Sequence, residues 1–140
     1  MREILFRGKR VDNGEWVEGY YVYDNSGQTT EHPTAYIVHL NKHPCGWSLI
    51  PFEVIPDTVG QDTGLTDKNG KKIFEGDIVK TNKFNEPNKK YIIKYNLQFG
   101  AFIGEDKYHM YFTTFDGDSD QFEVIGNIHD NPELLEVSDA

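Results

Sequence analysis

His39, His43 and Cys45 fall within seven residues, and imidazole and thiolate are ligand types that suit zinc. A fourth ligand would have to come from His32 or His109, and the set would then serve a metal-dependent hydrolase. Surface histidines and one buried thiol account for the same letters, because His39 falls in an expected strand and His43 in an expected turn before Pro44. Asp62-Thr63-Gly64 has the core triplet of aspartic proteases, where two such carboxylates repel each other and split into an acid and a base. A dimer would have to supply the pair. Protease triplets follow an apolar strand and precede a small apolar residue, whereas Gly60-Gln61 and Leu65-Thr66-Asp67 flank this one, so a glycine-containing turn is the better account. Asp116-Gly117-Asp118-Ser119-Asp120 sets carboxylates at alternate positions, like the first half of a calcium loop. Its second half fails, with Gln121 where the turn-making glycine belongs and Asn127 where the bidentate glutamate belongs. An acidic hairpin tip explains it.

A second constellation is aromatic and basic. Tyr91, Tyr95, Phe99, Phe102, Tyr108, Tyr111, Phe112 and Phe115 are interleaved with Lys89, Lys90, Lys94 and Lys107, so a small barrel could present stacking platforms beside phosphate-seeking charges. Lys89, Lys90, Tyr91, Lys94 and Tyr95 are the binding candidates on that account. Against it, aromatic residues in short strands usually form core. No phosphate-cradling glycine loop, serine elbow or cysteine with a base is present. We therefore expect no catalytic residue and no cofactor.

The charge balance points the same way. The 140 residues carry a formal net charge of -9, which disfavours attraction to nucleic acid or anionic lipid. The charge is uneven: residues 68–94 hold eight lysines against Glu75, Asp77 and Glu86, a local +5, and residues 105–140 hold Lys107 against ten acids, a local -9. The two regions could attract each other, and opposed strips favour self-complementary assembly or steering of a charged partner, while a solvated surface that is simply uneven in charge accounts for the same counts. The single cysteine excludes an internal disulfide. With no secretory signal and no run of about eighteen apolar residues, a cytoplasmic protein is expected.

The elements that must position these residues read as strands. Residues 2–8 and 15–23 pair through Val11-Asp12-Asn13-Gly14, where Asn-Gly is a strong hairpin signal. In the second strand Trp16, Tyr20 and Val22 share one parity and Val17, Tyr21 and Tyr23 the other, so both faces are expected to be covered. Asp24 to Pro33 is a long polar loop, a candidate flap. Residues 35–40 and 47–51 follow as strands about a turn at Asn41-Lys42-His43-Pro44. From Asp57 to Lys80 glycine recurs at 60, 64, 70 and 76, marking a turn-rich joint. Beyond it come five segments, Ile73 to Thr81, Lys89 to Asn96, Phe99 to Gly104, Tyr108 to Thr114 and Phe122 to Ile128. Five short antiparallel strands suit a small SH3-like barrel, since closure removes exposed edges. No apolar stripe at helical spacing lasts three turns; Asn131 as N-cap and Pro132 at the first position give one final turn. The expected architecture is all-β: an N-terminal subdomain over 1–57, a glycine-rich connector over 58–76, and a C-terminal SH3-like barrel over 77–140.

Three blocks of sequence carry a family resemblance: Arg2-Glu3-Ile4-Leu5-Phe6-Arg7-Gly8-Lys9-Arg10 with Gly14-Glu15-Trp16-Val17-Glu18-Gly19-Tyr20; Thr58-Val59-Gly60-Gln61 to Glu75-Gly76-Asp77-Ile78-Val79; and Val124-Ile125-Gly126-Asn127-Ile128-His129-Asp130-Asn131-Pro132-Glu133-Leu134-Leu135. Together they resemble the YopX family of bacteriophage and prophage proteins. Family members often carry an aromatic residue where Asp62 stands. The resemblance implies a phage-encoded cytoplasmic protein and no assigned reaction. Joined to the aromatic content and charge gradient, it leads to a non-enzymatic module that binds another protein or copies of itself. The alternative is a single-strand nucleic-acid binder.

Overall fold

A computed structural model describes residues 3–26, 33–81, 89–108, 111–112 and 121–135. The chain divides into two compact units, Met1–Gln61 and Asp62–Ala140. Both are all-β and antiparallel; no α-helix occurs among the described residues, and Pro56–Thr58 and Pro132–Leu134 form short 3-10 turns.

In the first unit β1 (Phe6–Lys9), β2 (Trp16–Asp24), β3 (Thr34–His43) and β4 (Gly46–Val54) lie in the order β4-β3-β2-β1. The opening residues of β5 (Gly60–Thr66) pair with β1 on its other side. The β1–β2 hairpin closes at the predicted Asn-Gly, with Gly14 at φ 72° donating its N–H to the Arg10 carbonyl over 3.0 Å. The β3–β4 turn is displaced from its expected place. Strand pairing continues through His43, which faces Gly46, so the turn is Pro44-Cys45. Proline's fixed φ opens the reversal, and Gly46 at φ 148° takes up a conformation rare for a residue with a side chain.

Alternation fills the core of this unit. Val17, Ala35, Ile37 and Val54 are buried, with Phe6, Tyr21, Phe52 and Val59 packed against them. The end of β4 is pinned beside β1: Val11 donates to the Glu53 carbonyl over 3.1 Å, and Ile55 to the Lys9 carbonyl over 2.8 Å. Gly8 permits this approach, since a Cβ there would lie 2.9 Å from the Val54 side chain. Among the described residues the outer edge of β4 from Gly46 to Phe52 pairs with no strand. Pro51 shares the parity of Glu53, whose carbonyl faces that edge, so its imide nitrogen faces outward as well.

The second unit holds the rest of β5, then β6 (Lys72–Phe74), β7 (Asp77–Thr81), β8 (Lys89–Asn96), β9 (Ala101–Glu105), β10 (Tyr111–Phe112) and β11 (Phe122–Asn127). The last five form a sheet in the order β10-β9-β8-β7-β11. Residues 58–76, read from sequence as a connector, contain β5 and β6. The single strand expected over Ile73 to Thr81 is broken at Glu75-Gly76. Gly76 has φ 92°, and the Asp77 carboxylate closes the turn by accepting the Phe74 N–H over 2.7 Å. β9 starts later than expected because Asn96 caps a turn, its side chain accepting the Phe99 N–H over 2.9 Å. Likewise Asp106 accepts the Tyr108 N–H over 2.9 Å, which makes that residue part of a turn rather than the start of β10. Ile73, Val79, Tyr91, Ile93 and Phe122 form the core, with Leu65, Phe102 and Val124 against them. Asn131 precedes the final turn as predicted, but its Oδ1 turns back to accept the Asn127 N–H over 3.3 Å and does not cap.

Candidate interaction surface

A strand shows alternate side chains to opposite faces, so the register of the first unit decides what its outer face carries. Tyr20 lies opposite Val38 and Val38 opposite Pro51; Val22 lies opposite Tyr36 and Tyr36 opposite Glu53; Leu40 faces Leu49, and Lys42 faces Trp47. These residues share the face opposite to Val17, Ala35, Ile37 and Val54. The face is apolar and exposed: Trp47 is 61% accessible, Leu49 67%, Leu40 47%, and Tyr20 and Val22 49% each. The expectation that both faces of β2 are covered is thus corrected, for only the face with Val17 and Tyr21 is packed. Contiguous apolar surface of this kind marks interaction sites.

Its two ends carry opposite charge. Lys42, at the hairpin end, places its ammonium 4.7 Å from the centre of the Trp47 ring. Glu53 is exposed at the other end, with Asp24 one row beyond. Neither Lys42 nor Glu53 forms an ion pair among the described residues. Glu18, nearer the middle, stands opposite Arg7 of β1, whose charge offsets it locally.

The residues singled out for chemistry are used otherwise. His39 Nε2 donates to the Glu18 carbonyl over 2.7 Å, since a carbonyl can only accept, and the ring packs edge-on against Phe52 at 4.8 Å. His43 Nε2 is 2.7 Å from Ser48 Oγ, and Cys45 is exposed in the turn, not buried. His39 and His43 lie four residues apart on one strand, about 13 Å, too far to share an ion. Among the described residues no three of His, Cys, Asp and Glu gather as metal ligands. Asp62 accepts the Gly64 N–H over 2.9 Å, and Thr63 Oγ1 donates to the Ile73 carbonyl over 2.7 Å. With Gly64 at φ 84°, the triplet builds the bulge where β5 shifts register against β6. Asp116 to Asp120, His32, His109 and residues 27–32 of the polar loop lie outside the described residues.

The aromatic and basic strip splits between the faces of β8. Tyr91 is buried in the core and Tyr95 packs edge-on against Phe102 at 5.2 Å. Lys89 pairs with Asp106 at 3.1 Å, Lys94 pairs with Glu105, and Lys90 donates to the Leu134 carbonyl over 3.0 Å. Glu123 stands between Lys68 at 3.4 Å and Lys80 at 3.3 Å, and the hydrogen bonds from Lys80 and then Lys68 hold its carboxyl below the usual range. The basic and acidic runs of the sequence thus meet inside this unit, cation against carboxylate. Sequence reasoning missed the β3–β4 face because Leu40, Leu49 and Trp47 lie in two separate segments. The signal was their shared parity, visible only once the hairpin register is known.

The comparisons with known proteins bear on the family through one match and on the fold through another. The model of the YopX protein family matches residues 5–136. No curated protein matches the chain. Among solved structures it is similar to the crystal structure of protein EF1440 from Enterococcus faecalis, with 25% identity and a TM-score of 0.61, covering 96% of this chain and 99% of that one.

Proposed function

The chain belongs to the YopX family, and from that premise we propose a non-enzymatic, phage-encoded accessory protein that works by binding protein through the outer face of β2, β3 and β4. One observation carries this reading: Tyr20, Leu40, Trp47 and Leu49 stand 47–67% exposed, side by side on a regular sheet. Aromatic and aliphatic anchors on a rigid sheet concentrate binding energy while giving up little conformational freedom. The chemistry-bearing side chains support it, for His39 is spent on a backbone carbonyl and Asp62 on a backbone amide. In the second unit, the order β10-β9-β8-β7-β11 returns the last strand beside the first of a four-strand meander, which supports reading this unit as an SH3-like barrel.

The test is capture from a bacterial host lysate by immobilised wild-type protein and by Trp47→Ser/Leu49→Ser, each first checked for native circular dichroism. Proteins retained by the wild type and lost from the variant are expected. Equal retention by both would remove the reading.

A further inference from the structure

The outer face of the first unit is complementary to itself, and we propose that it packs against the same face of a second copy of this chain. This rests on the protein-binding reading above and names the partner. Lys42 and Tyr36 lie six residues apart on β3, about 20 Å, and Tyr36 has Glu53 directly beside it on β4. On β3 and β4 the face is therefore a strip with a cation at one end, an anion at the other, and Val38, Leu40, Leu49 and Pro51 between, flanked on β2 by Tyr20 and by Glu18, which stands opposite Arg7.

A two-fold axis lying in the interface and running across the strands turns one such strip over onto another. Strand order is kept and strand direction reversed, so Lys42 of each copy comes over the row holding the other's Glu53. The central rows exchange in the same operation: Val38 and Pro51 meet the other copy's Leu40 and Leu49. Sheets stacked face to face lie about 10 Å apart, within reach of a lysine and a glutamate extended toward each other. The contact is isologous, made twice by symmetry, and joins two charges that form no ion pair among the described residues. A foreign partner has no reason to require this inversion of charge about an apolar centre; a second copy does.

The test is sedimentation equilibrium of the full chain across a wide concentration range at fixed, near-physiological salt. Wild-type dimer is expected. Lys42→Glu and Glu53→Lys should each raise the dimer dissociation constant about tenfold or more, and the double variant Lys42→Glu/Glu53→Lys should restore it, because the exchanged charges meet again across the axis. Leu49→Glu should abolish the dimer. All three positions are exposed, so circular dichroism should be unchanged. A wild-type monomer at every concentration, a dimer indifferent to both single changes, or a double variant no better than the singles would each overturn the proposal. If the chain is monomeric yet lysate capture still depends on Trp47 and Leu49, the second copy is ruled out while the protein-binding reading stands. If capture fails as well, both fall.

Discussion

Asp67 is 5% exposed and spends its carboxylate on three backbone amides: Oδ1 accepts from Asn69 and Lys71, and Oδ2 from Val124, each over 2.9 Å. One residue thus closes the Asp67–Lys71 turn and ties it to β11. Asp67→Ala leaves three N–H groups without their acceptor, and we expect a loss of about 3 kcal/mol or more, measured by urea unfolding. Burial pushes the Asp67 carboxyl up, but the bonds from Val124, Lys71 and Asn69 outweigh it and hold the group below its ordinary value. A carboxyl depressed in the folded state stabilises above its unfolded pKa, about 3.9, and loses that contribution as pH falls through the folded value. Stability should therefore decline below about pH 4. Asp67→Asn should flatten that acid limb while lowering stability at neutral pH; an unchanged limb would show that Asp67 does not govern it. None of this was legible in the sequence, where Asp67 is one acid in a polar run, because its partner Val124 is 57 positions away.

At the scale of elements, local patterning placed most strands and missed their breaks. Lys89–Asn96 matches the sequence reading end to end, since its alternation of tyrosine, isoleucine and lysine is unambiguous. The break between β6 and β7 was hidden because Ile73, Phe74, Ile78 and Val79 read as one apolar run, and Asp77 declares its turn-closing role only through the Phe74 amide. Gly76→Ala should cost about 1 kcal/mol or more in thermal or urea unfolding, since φ 92° is strained for alanine. Gly8 exerts a different constraint. With the Val54 side chain 2.9 Å from an added Cβ, Gly8→Val should destabilise by about 1–3 kcal/mol, and Gly8→Ala/Val54→Ala should be less damaging than the two single changes summed. An additive pair would mean that β1 and β4 do not press on each other there.

For the whole molecule, the all-β class and the family were legible from composition, glycine spacing and three sequence blocks, and the exposed face was not. A net charge of -9, with Lys89, Lys94, Lys68 and Lys80 already set against carboxylates, leaves little to attract phosphate. Mixed single-stranded oligonucleotides should show no steeply salt-dependent binding in a fluorescence titration; a strong slope of affinity against salt would revive the nucleic-acid alternative. Lastly, Pro51 on the open margin of β4 bears on how assembly ends. A strand arriving there from another molecule would find one rung of the ladder missing, because the pyrrolidine nitrogen carries no hydrogen to give. Growth by successive strand addition, the route to ribbons and fibrils, is penalised at that margin, whereas the proposed stacking through the broad side would terminate once two copies had met.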